Sequence, residues 1–226
     1  MTNETDLTNA IDDLLEITSK GNLLSRNSKT IERAFEGYIF SLCRRAVLNL
    51  GGKATLTGIR TGANPKIIIL RGGPGYMWSD KQDFCFIDCI VNGMKFEIHL
   101  DVQYQGASGA NHELDISIYS KTGADKSRSK KVFPKLNKDL IAGMECKFYT
   151  STPGVSLART FVGLLTDSTR GKKYYAFVSN QGTSGIKKFL NRNRHVSFFT
   201  EMTPLNYQTE DRFLKNLEQF IDEWCN

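Results

Sequence analysis

Apolar residues recur at helical spacing in two segments near the beginning of the chain. The first segment contains Leu7, Ile11, Leu14 and Leu15 and ends at Gly21-Asn22. Ser28 is a plausible N-cap for a second, longer helix, which stops before Gly51-Gly52. Its apolar face consists of Ile31, Phe35, Tyr38, Ile39, Leu42 and Ala46. We therefore expect two amphipathic helices, the first of which packs on the core or binds a partner.

Strand-like runs occupy the middle of the chain, and turn residues separate them. The runs cover residues 66–70, 84–91, 95–105 and 113–119. Asn92-Gly93, between two of them, is a strong signal for a β-hairpin. This pattern predicts an antiparallel meander, followed by a polar, basic loop over residues 121–138 and a strand over residues 144–149.

The last third of the chain alternates between helical and strand-like segments. Helices are predicted at residues 155–165, 184–192 and 206–224, and strands at residues 174–179 and 196–200. This βαβαβ order is typical of parallel crossovers. We expect an α/β domain over residues 28–226, with a central mixed β-sheet flanked by helices, after a helical N-terminal extension over residues 1–27.

Composition excludes several classes of protein. The chain has 226 residues, of which 40% are hydrophobic and 24% charged, so neither a disordered nor a collagen-like protein is expected. No apolar run approaches the roughly 18 to 20 residues that span a bilayer, and the first residues lack the basic start of a signal peptide. We therefore expect no membrane association and a cytoplasmic location. The five cysteines mostly lie in apolar runs, which favours buried thiols over disulfides or a zinc site.

Acidic residues and a lysine are predicted to share one side of two neighbouring strands. Strict alternation puts Glu113 and Asp115 on one face, opposite Leu114, Ile116 and Ile118. In the same way Glu145 and Lys147 lie opposite Met144, Cys146 and Phe148. Clustered carboxylates repel one another unless a divalent cation neutralises them, and Mg²⁺ prefers such oxygen ligands. A metal-activated water with a lysine beside it suits hydrolysis of a phosphodiester.

The order of these residues resembles the PD-(D/E)xK nuclease superfamily, which has the restriction-endonuclease-like fold. Asp115 is followed, after 29 intervening residues, by Glu145-Cys146-Lys147, and a preceding helix carries Glu36. The likeness extends from about residue 28 to the end of the chain, with an α-βββ-α-β-α-β core. Leu114 stands where the motif has its proline. The resemblance implies a Mg²⁺-dependent DNA endonuclease of a restriction or antiviral-defence system, with Mn²⁺ as a substitute.

Asp115 and Glu145 are the expected metal ligands. By the resemblance, the backbone carbonyl of Cys146 also binds the metal, Lys147 assists the attacking water, and Glu36 supports the metal shell, with Glu32 as a rival. The alternative interpretation is a half-exposed pair of strands with an ordinary surface ion pair. One catalytic centre per chain cuts one strand, so double-strand cleavage predicts a homodimer or higher oligomer. A regulatory or methyltransferase partner is possible.

Basic residues indicate where a nucleic acid would bind. The formal charge of +6 and the pI near 9.0 favour polyanionic partners. The predicted phosphate contacts come from the loop over residues 121–138: Lys126, Arg128, Lys130 and Lys131. A solvated loop without a ligand is the equally weighted alternative, and a catalytically silent nucleic-acid- or protein-binding module is the alternative function.

Four other features also lead to predictions. The glycine-rich turn over residues 72–78 is a candidate recognition or partner loop, without the lysine of a P-loop. Glu97 and Asp101 are expected to be ordinary exposed residues, and His112 a bystander rather than a general base.

Overall fold

The computed structural model describes residues 2–16, 24–26, 31–135, 138–167, 173–193 and 195–226. The first elements are α1 (Glu4–Leu14), β1 (Leu24–Arg26), α2 (Ile31–Asn49), β2 (Lys53–Gly58), β3 (Gly62–Ala63), β4 (Ile68–Leu70), β5 (Cys85–Val91) and β6 (Met94–Gln105). They are followed by β7 (Asn111–Ser120), α3 (Lys121–Lys130), β8 (Leu140–Lys147), α4 (Ser156–Thr166), β9 (Tyr174–Ser179), α5 (Ser184–Arg192), β10 (Ser197–Phe199) and α6 (Tyr207–Cys225).

A mixed eight-stranded sheet organises the chain. Its strand order is β10-β9-β8-β7-β6-β5-β2-β3. Neighbours from β3 to β8 are antiparallel, whereas β8, β9 and β10 are parallel. The predicted meander is confirmed for β5, β6 and β7, but the run at residues 66–70 is not part of it, because β4 pairs in parallel with β1 in a separate two-stranded sheet. The predicted parallel crossovers are confirmed, and the fold is of the α/β class.

Helices cover the sheet on both faces, and alternate residues of β9 pack against the helices of each face. Tyr174, Ala176 and Val178 pack into a first core with residues of α1, α2 and α6. Tyr175 and Phe177, between them in sequence, pack into a second core with residues of α3, α4 and α5. Because side chains alternate along a strand, the two cores lie on opposite faces of the sheet.

Several predicted elements are confirmed closely. The helices α1, α2, α4, α5 and α6 and the strand β9 occupy their predicted segments. At the hairpin between β5 and β6, Asn92 and Gly93 have φ values of 49° and 83°, as a tight two-residue turn requires. The five cysteines are buried free thiols, as expected. Gly21-Asn22 and Ser28 lie outside the described residues.

The prediction of a loop over residues 121–138 is wrong, because Lys121–Lys130 forms helix α3. The Ser120 hydroxyl caps its first turn by accepting from the Gly123 N–H, and Lys131 ends it in the left-handed region with φ 52°. The segment has almost no apolar periodicity, since only Gly123, Ala124 and Ser127 are buried. Strand β2 was also missed. No helix of the described residues is long and apolar enough to cross a membrane.

Candidate active site

The candidate site begins where β7 and β8 separate. Their pairing runs from Tyr119 opposite Leu140 to Ile116 opposite Met144 and ends there. Asp115 is the next residue of β7, and its carboxylate Oδ2 accepts from the backbone N–H of Cys146 at 2.7 Å. The Asp115 carboxylate thus accepts the hydrogen bond that the β7 backbone no longer provides for the Cys146 N–H. This bond fixes the carboxylate where the two strands separate.

Lys147 joins Asp115 to Glu145. Its Nζ lies 3.0 Å from Asp115 Oδ2 and 2.8 Å from Glu145 Oε1. Burial opposes the charged ammonium, but the two carboxylates outweigh burial and raise the pKa of Lys147. The structure therefore brings together the three residues that the sequence analysis singled out on these strands, and Lys147 stays cationic.

Asp101 lies beside them, on the neighbouring strand β6. The expectation that it is an ordinary exposed residue is wrong, because it is only 2% exposed. Burial, followed by the charge of Asp115, raises its pKa to about 7, against the lowering effects of Arg33, of the Gly73 backbone N–H and of Arg71. The Arg33 Nη1 is 3.4 Å from Asp101 Oδ2. Asp101 is a member of the site that sequence reasoning missed.

Glu36 completes a group of three carboxylates. One oxygen from each of Glu36, Asp101 and Asp115 lies within 4.8 Å of the other two. Burial, then Asp101 and Asp115, raise the pKa of Glu36 to about 8. Its rival Glu32 is exposed on the same helix. We call Glu36, Asp101 and Asp115 the acidic triad.

Two further carboxylates stand next to the acidic triad. Burial and then Asp115 raise the pKa of Glu145 to about 7, and burial and then Asp101 raise that of Glu113 to about 7. Glu145 is not within the 4.8 Å group, and Lys147 holds its carboxylate instead. Negative charge therefore exceeds the nearby positive charge of Lys147 and Arg33.

The donor set fits a hard divalent cation. Three carboxylates come from three different elements, α2, β6 and β7, and their oxygens are close enough to share one ion. Oxygen ligands of this kind suit Mg²⁺ or Mn²⁺. Burial is the main cause of the raised carboxyl pKa values of Glu36 and Asp101, and repulsion from the neighbouring carboxylates, which a cation would neutralise, adds to it.

One face prediction on β7 is wrong. Ile116 packs in the first core as expected, but Leu114 packs in the second core, on the opposite face of the sheet. The strict alternation of this strand is therefore interrupted at Asp115. On β8 the expected alternation is present, since Met144 and Cys146 are in the first core.

Glu97 is a second buried acid that the sequence analysis placed at the surface. It is fully buried and contacts His99 at 2.8 Å, Lys121 at 2.7 Å and Arg128 at 2.5 Å. Arg128 also pairs with Asp125. This cluster anchors α3 to the sheet and engages the Arg128 guanidinium, whose role as a phosphate contact stays a prediction. Lys126, Lys130 and Lys131 are exposed, and their role in binding stays a prediction.

His112 is tied to a loop rather than to the acidic triad. Its Nε2 lies 2.6 Å from Asp167 Oδ2, and the Ser108 hydroxyl donates to the same oxygen at 2.7 Å. Asp167 thereby fastens the turn between β6 and β7 to the end of α4. The arrangement is a structural clamp, which agrees with the expectation that His112 is a bystander.

Comparison with known proteins gives no match, because no family model, curated protein or solved structure is significantly similar to this chain. What the chain does must therefore be inferred from the chemistry of the acidic triad and Lys147.

Proposed function

We propose that this chain is a Mg²⁺-dependent endonuclease that hydrolyses phosphodiester bonds in DNA. We further propose that it belongs to the PD-(D/E)xK superfamily, with a restriction-endonuclease-like fold. One observation carries the proposal. The acidic triad converges from three elements, and the Lys147 ammonium lies 3.0 Å from one of its members, Asp115. A cation site with a fixed positive charge beside it suits the hydrolysis of a phosphodiester.

The carboxylates are the binding part of the proposed site. Glu36, Asp101 and Asp115 would hold Mg²⁺, with Mn²⁺ as a substitute, and Glu145 and the carbonyl of Cys146 are the further ligands that the family pattern implies. The bound ion would lower the pKa of a water and offset charge on the phosphate. The Cys146 N–H and Lys147 keep the Asp115 carboxylate oriented before any ion binds.

Lys147 is the proposed catalytic cation. Glu145 and Asp115 hold its ammonium from two sides, and the ammonium retains a third N–H for a ligand. A donor fixed in this way stabilises the charge that develops on the phosphate oxygens in the transition state. It can also orient the attacking water. Because the site is preorganised, little rearrangement accompanies the reaction.

DNA is the proposed substrate because the chain is basic overall and carries the exposed lysines 126, 130 and 131 on and just after α3. The family resemblance supports a restriction or antiviral-defence role in the cytoplasm, alone or with a regulatory or methyltransferase partner. A single centre per chain cuts one strand, so double-strand cleavage would need a homodimer or higher oligomer.

Cleavage of supercoiled plasmid DNA tests the proposal. Wild-type protein should nick the plasmid with Mg²⁺ or Mn²⁺ and not with EDTA. Asp115→Asn and Lys147→Met should each slow nicking at least about 100-fold. Glu32→Gln is the matched control, since Glu32 is exposed one turn before Glu36, and it should cut at the wild-type rate. DNA binding without any metal-dependent cleavage would instead indicate the catalytically silent binding module.

A further inference from the structure

A cavity of about 520 Å³ lies next to the acidic triad, between the glycine-rich turn and β6. Its volume is within the range of about 300 to 1,000 Å³ that small ligands occupy. The cavity is lined by Arg71, Gly73, Gly75, Tyr76, Phe84 and Gln103, among others. Gln103 is two residues along β6 from Asp101, so the cavity and the triad are neighbours.

Arg71 is a buried cation that has no carboxylate in direct contact among the described residues, although the more distant Asp101 charge acts on it. The residue is 7% exposed, and its Nη2 donates to the Tyr76 carbonyl at 3.0 Å while its guanidinium covers the Phe84 ring at 4.3 Å. None of the ion pairs among the described residues includes Arg71. A buried charge is costly unless an opposite charge compensates it. The cavity wall therefore presents a guanidinium that an anionic ligand would stabilise.

Backbone hydrogen bonds between the glycine-rich turn and β6 place this cavity next to the acidic triad. The Gly75 N–H donates to the Asp101 carbonyl, and the Gly75 carbonyl accepts from the Gln103 N–H, each at 2.9 Å. A Cβ on Gly75 would lie 2.5 Å from Arg71 Nη1, so a larger residue there would displace the guanidinium from this position. The turn is therefore shaped around Arg71 on one side and bonded to Asp101 on the other.

The rim of the cavity carries a flat aromatic surface. Tyr76 is 47% exposed and stacks on Trp78, with ring centroids 4.7 Å apart and an interplanar angle of 4°. Phe133 packs edge-on against both rings and fixes them. Exposed aromatic faces next to a cation are how proteins bind the bases and phosphates of single nucleotides in a strand.

We propose that this cavity binds one nucleotide of the DNA strand, adjacent to the phosphodiester that is cut, with its phosphate on Arg71 and its base against Tyr76. This inference rests on the proposed function, because it places a second contact on the same substrate. In this proposal the glycine-rich turn forms a nucleotide subsite, and the nucleotide bound there determines which phosphodiester lies at the acidic triad.

Binding of a fluorescent oligonucleotide to Arg71→Met tests the subsite. Anisotropy is measured in Ca²⁺ with the full chain, over a series of salt concentrations. Arg71→Met should weaken binding at least tenfold and lower the slope of log Kd against log salt by about one phosphate contact. Gly75→Ala, which crowds Arg71 without removing its charge, should also weaken binding. Arg212→Met is the control, since Arg212 is an exposed residue of α6 whose guanidinium lies 5.4 Å from the centre of the Phe199 ring, and it should bind as wild type.

Thermal unfolding separates a ligand contact from a purely structural role. Arg71→Met relieves the cost of burying the guanidinium, which offsets the loss of its contacts to Tyr76 and Asp101, so its Tm without DNA should stay close to that of wild type. A lower Tm together with wild-type affinity would overturn the subsite. A free deoxynucleoside monophosphate should compete only weakly; if it displaces the oligonucleotide at micromolar concentration, the cavity is a site for a free nucleotide and the strand subsite is wrong.

The two proposals fail in different ways. If wild-type protein cuts DNA and Arg71→Met cuts and binds equally well, the subsite is wrong while the nuclease stands. If Arg71→Met loses affinity but wild type does not cut in any metal, the nuclease is wrong while the binding contact stands. If wild type does not bind the oligonucleotide, the subsite is rejected.

Discussion

Asp101 and Asp115 lie opposite each other on neighbouring strands, between the pairs Leu100–Ile116 and Val102–Leu114. At this level both strands change faces. Leu100 and Ile116 pack in the first core, whereas Val102 and Leu114 pack in the second core. Asp101 has φ 49°, in the left-handed region that few non-glycine residues adopt. The paired interruption brings both carboxylates to Glu36, and it is this irregularity that forms the acidic triad.

We predict that a divalent cation stabilises the protein through the acidic triad and that this stabilisation requires Asp101. Asp101→Asn removes one of three mutually repelling carboxylates, so its metal-free form should be no less stable than wild type. Mg²⁺ or Ca²⁺ should stabilise wild type, by about 2.7 kcal/mol at 100 times the Kd. Differential scanning fluorimetry should show this increase in Tm for wild type and for Glu32→Gln, and little or none for Asp101→Asn. An equal increase in all three proteins would remove Asp101 from the metal site.

Part of this site could be predicted from the sequence. The alternation of polar and apolar residues on β8 correctly predicted that Glu145 and Lys147 lie on one side of the strand. The order of strands along the chain also predicted that Asp115 lies on the strand next to them. Local pattern is sufficient there because β8 is regular. The amphipathic pattern predicted α2 itself, whereas the choice of Glu36 over Glu32 on that helix came from the family resemblance.

The rest depended on contacts that no local pattern reveals. Asp101 lies in a twelve-residue strand, where an acidic residue ordinarily indicates the solvent face. Its burial follows from its own left-handed backbone and from the glycine-rich turn, which is distant in sequence. Helix α3 was missed for a related reason. Glu97, on β6, holds it through Lys121 and Arg128, so tertiary ion pairs replace apolar periodicity.

Lys147→Met should separate catalysis from metal binding. The substitution removes the charge that faces the phosphate while it leaves the carboxylates of the acidic triad in place, so kcat should fall about 10² to 10³-fold. Metal-dependent stabilisation should remain, because Lys147 is not a ligand. Single-turnover cleavage and the Tm with and without Mg²⁺ measure the two effects. Retained cleavage at the wild-type rate would contradict the catalytic role of this ammonium.

Glu97 is expected to contribute strongly to stability. Glu97→Gln would leave the partly buried Arg128 and Lys121 without their main carboxylate, which should lower the free energy of unfolding by about 3 kcal/mol. Asp125→Asn is the matched control, since it removes only the exposed contacts to the same two cations and should cost about 1 kcal/mol or less. Urea unfolding of both variants checks the difference. Equal losses would contradict the assignment of the cluster to Glu97.

The same residue gives a pH dependence. Burial acts to raise the pKa of Glu97, but hydrogen bonds from His99 and Arg128 outweigh it and hold the pKa well below its ordinary value of 4.5. A lowered folded-state pKa means that the stabilisation is complete above about pH 4.5 and is lost as the pH falls toward the folded-state value. The stability difference between wild type and Glu97→Gln should therefore narrow below pH 4.5. A difference that stays constant down to pH 3 would show that the pKa is not lowered.

His112→Gln tests whether a histidine serves as the general base. A true general base contributes about 10² to 10⁴-fold to the rate. The His112 ring is bound to Asp167 at 2.6 Å in the clamp that fastens the turn between β6 and β7, so its substitution should reduce kcat far less than 100-fold. Asp167→Asn weakens the same clamp from its other side and should have a similarly small effect. A loss of 100-fold or more in His112→Gln alone, with an unchanged Tm, would return His112 to the mechanism and would reassign water activation from the residues around the acidic triad.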